Sequence, residues 1–380
     1  MNIIWFVIVV GALAVIQMEY FNLAGLRKVE YRRFFSKKAV YEGDKAEMVE
    51  VLANKKITPL PWLRVESRIS SNLRFKTTGD HDINYDQFHR SSFFLRGYKR
   101  ITRRHEILCA RRGFYVLKVA SVTTGDLFGM LRKAKDVYGG ADAEMYVYPA
   151  PIGAGEESLA SLKWQGDVTM RRWIMPDPIL VSGIRDYRPG DTQKDIHWAA
   201  TARTGNLQVK VRDYTVSPRL LLMLNTQIRE DLWGMMDASQ QIVIEQGIRY
   251  AAHLATWAVS NGLEVGLQCN GPLCDVPDET VALRAACSQA HLEAILQSLA
   301  KLEIVRTINF YTLMDYLIDS GEGGYDIALI SAYTSPAIEK RAELLRLHGN
   351  NVTFIDYAPE TASGNFAEGV SEDVEEKEAV

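Results

Sequence analysis

The sequence predicts an N-terminal transmembrane helix, then an all-β sandwich, then an α/β domain on a doubly wound, mainly parallel sheet. Three observations predict it. An uncharged, almost wholly apolar run extends from Ile3 to Met18; short strand-like runs between Gly, Pro, Asn and Asp fill the stretch from about Ala39 to Pro149; and alternating buried strands and amphipathic helices begin at Arg219. The 380 residues fit about two domains at roughly 100–200 residues each, and 47% hydrophobic content supplies their cores.

Residues 1–26 read as the anchor. At about 1.5 Å per residue the apolar run gives roughly 24 Å, and Tyr20, Phe21 and Leu23 extend it toward the roughly 30 Å of a bilayer core. A cleaved signal peptide wants a basic residue before the run and small residues after it; here Met1-Asn2 precedes it and Glu19-Tyr20-Phe21 follows. Arg27, Lys28, Arg32, Arg33, Lys37 and Lys38 all lie after the segment, so the positive-inside rule sets the N-terminus outside and the main body in the cytoplasm of a single-pass cell-membrane protein.

Residues 39–150 read as the sandwich. Ala46 to Leu52, Leu63 to Ile69, Phe93 to Tyr98 and Phe114 to Val119 are strand-length runs without helical period. Arg96, Lys99, Arg100, Arg103, Arg104, Arg111, Arg112 and Lys118 form a local basic patch, read first as solvent-facing strand positions and second as a contact for anionic headgroups near the anchor. No recognition motif accompanies the charge and the net charge is −3, so no nucleic-acid partner is expected. His81, Asp82, Asp86 and His89 group in what reads as a polar, solvated loop.

Residues 151–218 connect the two domains and hold the densest motif, Arg185 to Lys210. Pro189 pre-sets a turn, Gly190 takes positive φ, and Asp191 is placed to cap a short helix carrying Ile196, His197 and Trp198. Gly205 ends that helix, after which Leu207, Val209 and Val211 alternate with polar residues as in a half-buried strand. From residue 219 to 357 the α/β pattern runs through the apolar strand Leu220 to Leu224 and a helix with Ile244, Ile248, Ala251, Ala255 and Val259 on one face. A strand from Glu264 to Gln268, helices through Leu292 to Leu302 and Tyr311 to Leu317, and a strand from Tyr325 to Ser331 follow. Ser335-Pro336 caps a last helix, and Val352 to Asp356 closes the series. Residues 358–380 read as an acidic, disordered tail. Cys109, Cys269, Cys274 and Cys287 show no Cys-x-x-Cys pair and read as reduced thiols.

The run Arg185, Tyr187, Pro189, Gly190, Asp191, then Ile196 and Trp198, then Ala202, Arg203, Gly205 and Leu207 resembles the signature of the bacterial family catalogued as domain of unknown function 58. Arg112, Gly113, Tyr115, Asp126, Phe128, Gly129 and the Val147 to Pro149 strand end resemble further pieces of that family. Members often carry two anchoring helices, where this chain shows one. The resemblance implies a von Willebrand factor A-like fold for the α/β domain and pairing with a MoxR-type AAA+ ATPase in assembling or maturing client protein complexes. It leaves the molecular activity open.

A von Willebrand factor A-like domain often holds magnesium with an Asp-x-Ser-x-Ser pattern after its first strand. The matching positions here are Asn225, Gln227 and Arg229, so the anionic ligand is replaced by an amide and no metal or other cofactor is expected. Asp191, Asp195 and His197 are the alternative, as a metal-dependent or acid/base centre. On one helix 191 and 195 share a face, but 197 is turned by about 200° from 195 at about 100° per residue, so the three diverge. Arg185, Arg203 and Asp191 are instead expected to form a charge-assisted network locking the sandwich to the sheet domain, its truncation costing roughly 3–5 kcal/mol. Phosphate-loop, nucleophile-elbow and His-Glu-x-x-His motifs are absent. The sequence therefore predicts a non-enzymatic, membrane-anchored scaffold or adaptor acting through protein–protein interaction.

Overall fold

The computed structural model describes residues 2–75, 88–126, 132–153, 159–174, 181–212, 219–230, 236–355 and 357. His81, Asp82, Asp86, Phe128, Gly129, Asp356 and the acidic tail lie outside them. The chain divides into two compact units, Met1–Ala150 and Pro151–Val380.

In the first unit, α1 (Asn2–Ala24) is the apolar run, and its stretch Ile3–Ala24 is long and apolar enough to cross a membrane. The end of α1 is built into the β domain. Phe21 is buried, and Lys56 Nζ donates to the carbonyls of Ala24 and Gly25 at 2.5 and 2.6 Å, placing a cation on carbonyls the helix itself leaves unpaired. Burial lowers the pKa of that ammonium.

Eleven strands follow among the described residues: β1 (Val29–Phe35), β2 (Ala39–Tyr41), β3 (Lys45–Asn54), β4 (Leu60–Arg68), β5 (Leu73–Phe75), β6 (Phe88–Leu95), β7 (Arg100–Cys109), β8 (Gly113–Val116), β9 (Val119–Gly125), β10 (Arg132–Tyr138) and β11 (Glu144–Tyr148). Two four-stranded sheets, β1-β3-β7-β5 and β10-β9-β4-β6, share a core in which Tyr31 and Leu52 of one meet Leu63, Val65, Phe93 and Val122 of the other. A smaller sheet, β2-β11-β8, closes over a second apolar cluster around Met48, Ile107, Met145 and Val147.

Three expectations are corrected here. The β domain begins at Val29, not at residue 39, because β1 pairs with β3 along its whole length from Val29↔Asn54 to Phe35↔Met48. Arg33 is consequently no free flanking cation: it is buried and donates to the Val119 carbonyl at 2.7 Å. His89 sits on β6 rather than in a solvated loop. The basic patch divides, with Arg96, Lys99, Arg100, Arg104, Arg111 and Lys118 exposed, Arg112 buried, and Arg103 lying 4.0 Å over the Phe93 ring.

The second unit opens with a helix inside the segment expected to be a connection, α2 (Leu159–Ile174), anchored by the fully buried Trp164 against Trp257 at 6.0 Å. Next come β12 (Val181–Asp186), α3 (Trp198–Thr204) and β13 (Gln208–Arg212), with β12 and β13 forming an antiparallel pair. The α/β region then runs β14 (Arg219–Leu224), α4 (Ala238–Ser260), β15 (Glu264–Leu273), β16 (Val276–Ala286), α5 (Gln289–Lys301), α6 (Phe310–Ser320), β17 (Tyr325–Ile330), α7 (Pro336–Leu347) and β18 (Asn351–Ile355).

Its sheet is mixed, in the order β16-β15-β14-β17-β18, with four parallel strands and β16 antiparallel at one edge. Alternation along β14 sets which helices cover it. Leu221 and Met223 pack with Phe310, Met314, Ile338 and Leu345 of α6 and α7, while α4 and α5 pack together and against β15. The α4 start is a capping box, Asp237 with Gln240, and α7 starts at Ser335 with Pro336 in its first turn, as the sequence indicates. All four cysteines are free thiols.

Candidate functional site

The signature folds into a self-contained local unit. Register across β12 and β13 places Arg185 opposite Val209 and Asp186 opposite Gln208, and Tyr187 N donates to Leu207 O at 2.9 Å. Gly190, at φ +108°, lets the chain reverse so that Asp191 N reaches Arg188 O at 3.0 Å. The Asp191 carboxylate then takes both guanidinium nitrogens of Arg185, at 2.7 and 2.6 Å, and the Arg188 amide at 2.8 Å. The Arg185 and Arg188 hydrogen bonds hold the Asp191 carboxyl down to about 2, and Asp191 raises Arg185 in return.

Asp191 therefore caps no helix. A 3-10 turn, Gln193–Asp195, and a bridge from Ile196 to Val209 intervene before α3. Its N-cap is His197, whose Nδ1 accepts from Ala200 N at 3.1 Å, and Gly205, at φ +72°, ends the helix as expected. Thr201 Oγ1 accepts from Gln208 N at 3.0 Å, tying helix to strand. The strand alternation is inverted at its start: Leu207 is exposed and Gln208 is buried, with Gln208 Nε2 donating to Asp186 Oδ1 at 2.5 Å.

The expected three-residue lock is also corrected. Arg185 and Asp191 pair locally with side-chain exposures of 40% and 18%, and Arg203, in the last turn of α3, is no party to that pair. The penalty of a buried ion pair does not apply to so exposed a contact. Asp191, Asp195 and His197 serve three separate local tasks: Asp191 receives Arg185 and Arg188, Asp195 Oδ2 receives Thr192 Oγ1 at 2.5 Å, and His197 caps α3. Around this frame Ile184, Tyr187, Leu207 and Trp198 are exposed, Trp198 by 66%.

The second place to look is beyond the carboxyl ends of β14 and β17, where open α/β sheets commonly hold ligands. Asn225 continues β14 through a bond from its N to Ile330 O at 2.9 Å. Its Oδ1 accepts from Gln227 N at 3.0 Å and Asn270 Nδ2 at 3.3 Å, and its Nδ2 donates to Ser331 Oγ at 2.9 Å. Ser331 Oγ passes the chain on to Tyr333 O at 2.7 Å. Asn270 Oδ1 accepts from Thr226 N at 2.8 Å, while Gln227 Oε1 accepts from Asn270 Nδ2 at 3.1 Å and from Phe310 N at 2.8 Å.

Gln227 thus supplies from a neighbouring loop the cap that Asn309, the N-cap of α6, does not. Asn225, Thr226, Gln227 and Asn270 are all buried, and burial pushes the neighbouring Tyr333 phenol up to about 12. These residues do not fit magnesium. The first position offers Ser331 an amide N–H where a hard cation needs an oxygen, and no carboxylate joins the described network. Arg229, the third position, is half-buried. Asn270 escaped the sequence reading because only the β14–β15 pairing brings it beside Asn225.

Both places lie within or next to the stretch that carries the family match. Residues 183–312 match the family model described as Protein of unknown function DUF58, and that stretch belongs to this family. A relative, the uncharacterized protein YeaD of Bacillus subtilis (strain 168), is 21% identical over 268 residues, covering 70% of this chain and 62% of its own length. The match thus spans under two thirds of that relative. Among solved structures, the CARDB domain of a Pyrococcus furiosus protein in complex with di-metal ions is 13% identical, with a TM-score of 0.18, over 29% of this chain and 93% of that one. The sporulation control protein Spo0M of Bacillus subtilis is 11% identical, also with a TM-score of 0.18, over 42% and 58%. Scores this low bear on neither fold nor function.

Proposed function

We propose that the protein is a non-enzymatic, membrane-anchored adaptor that binds protein partners through its α/β unit, that unit being a von Willebrand factor A-like domain without the usual metal. The observation that carries this reading is the signature unit. Arg185 with Asp191, Thr201 with Gln208 and Gln208 with Asp186 brace the unit, while Tyr187, Trp198 and Leu207 remain exposed on that frame. Aromatic side chains held in one geometry anchor protein–protein contacts at low entropic cost. The partner implied by the family resemblance is a MoxR-type AAA+ ATPase acting on client protein complexes. With α1 in a cell membrane and the N-terminus outside, the α/β unit would meet such an ATPase in the cytoplasm.

The test is mild detergent extraction of the tagged chain and identification of co-purifying proteins, comparing the parent with Trp198→Ala and Tyr187→Ala. An ATPase that is recovered with the parent and depleted with either variant, at unchanged unfolding temperature, supports the reading. Recovery of the chain alone, or turnover by the purified chain that depends on Asp191, Asp195 or His197, overturns it in favour of the enzyme alternative.

A further inference from the structure

Between the two apolar clusters of the first unit lies a buried polar layer made by both four-stranded sheets. Glu50 stands on β3 between Met48 and Leu52, and His105 stands on β7 opposite Met48, so both point inward from one sheet. His89 and Ser91 come from β6 of the facing sheet. The Glu50 and His89 side chains are 0% and 8% exposed, and that of His105 is 14% exposed. Glu50 Oε2 is 3.0 Å from His105 Nε2, Glu50 Oε1 is 3.7 Å from His89 Nε2, and all three ligand atoms lie within 4.8 Å of one another.

We propose that Glu50, His89 and His105 form a binding site for a divalent transition-metal ion of the zinc class, joining the two sheets. Two imidazoles and one carboxylate are the donors such an ion takes, at about 2.0–2.2 Å. Tetrahedral ligands at that distance stand about 3.3 Å apart; the carboxylate–imidazole spacings of 3.0 and 3.7 Å lie close to that, and the two imidazoles, within 4.8 Å of each other, draw together on binding. Tyr31 Oη donates to Glu50 Oε1 at 2.7 Å, the outer-sphere bond that fixes a ligating carboxylate. Ser91 Oγ lies 3.0 Å from His89 Nε2 and 3.2 Å from Glu50 Oε2, near enough to supply a fourth ligand or to hold a water that does. Arg33, paired opposite Glu50 in the β ladder, directs its guanidinium to the Val119 carbonyl instead.

The experiment uses the full chain in detergent, stripped with chelator and titrated with Zn(II) and with Co(II). Expected are one equivalent bound at micromolar or lower Kd, a rise in unfolding temperature, and visible Co(II) bands of a four-coordinate nitrogen/oxygen site. Binding should fall at least tenfold in His105→Ala and in His89→Ala. If either alanine variant fails to fold, Glu50→Gln provides the second test, with circular dichroism confirming strand content. Absence of micromolar binding, retention of full binding in folded variants, or near-ultraviolet thiolate bands pointing to Cys274 or Cys287 would each overturn the site.

Discussion

Replacing Asn225 by Asp puts a carboxylate at the end of β14, and the network around it makes the outcome calculable. Asn225 is fully buried and uses Nδ2 as a donor to Ser331 and Oδ1 as an acceptor from Gln227 N and Asn270 Nδ2. Aspartate keeps the acceptor and loses the donor, at about 1 kcal/mol, and an ionised carboxylate adds a desolvation penalty of several kcal/mol that two polar donors offset in part. The expected net loss is about 2–4 kcal/mol at neutral pH, a large share of the roughly 5–15 kcal/mol that a domain possesses. The sign with pH follows. Burial raises the folded-state pKa of the new carboxyl above its unfolded value of about 3.9, so the variant is least penalised below that value and loses stability as pH rises through the raised one. Asn225→Ala, which leaves the Gln227 amide unpaired, should lose about 1–3 kcal/mol with no such pH dependence. Thermal unfolding of the full chain in detergent, followed by tryptophan emission, measures both. An Asn225→Asp chain as stable as its parent at neutral pH, or one strongly stabilised by magnesium, would refute the assignment of this edge as a neutral, self-satisfied network.

Other perturbations separate local from global roles. Asp191→Ala should leave the unfolding midpoint nearly unchanged while accelerating hydrogen exchange at the Arg188 amide, which loses its side-chain acceptor. In the parent the same brace is intact above about pH 4 and is lost as pH falls through the Asp191 value of about 2, measurable as faster amide exchange relative to its intrinsic rate. Lys56→Met removes the cation from the end of α1 and should cost about 1 kcal/mol, read as faster proteolysis between α1 and β1 with little change in strand content. Gly97→Ala should unfold the first unit at markedly lower temperature, because a Cβ there would lie 2.0 Å from the Ile57 carbonyl oxygen, and backbone cannot swing aside as a side-chain tip does.

What the sequence revealed followed from period and charge. The anchor was legible because no charge interrupts Ile3 to Met18, and the central strand because Leu220 to Leu224 is apolar on both faces. β1 was obscured by Arg33, an inward-facing cation in a strand whose other inward positions, Tyr31 and Phe35, are apolar. α2 is faint in the sequence because, among its described side chains, Trp164 and Val168 are the buried apolar ones, although their spacing of four is the helical signal. In the signature, glycine conformations were readable while the Asp191 partner was not, since Arg185 reaches it only after the chain reverses at Gly190. The inter-sheet cluster lay furthest from view. His89 groups with His81, Asp82 and Asp86 by sequence distance, whereas pairing of β3 with β7 sets Glu50 near His105 and the facing of the two sheets brings His89 to both.

The amide network also constrains where recognition takes place. The edge of a doubly wound sheet attracts anions and cations because strand carboxyl ends and helix amino ends leave backbone groups unpaired there. In this chain the Phe310 amide at the start of α6 is answered by Gln227, and the Thr226 amide after β14 by Asn270. A ligand entering that crevice must first break these bonds, each made between groups already out of water, and must then replace them without gain. The signature unit presents a different balance: Arg185, Asp191, Thr201 and Gln208 are paired there too, but Trp198 and Tyr187 still offer apolar surface that can be covered without breaking those bonds. Under the adaptor role proposed above, substitution of Trp198 should therefore deplete a bound partner, while substitution of Asn225 should act through stability alone.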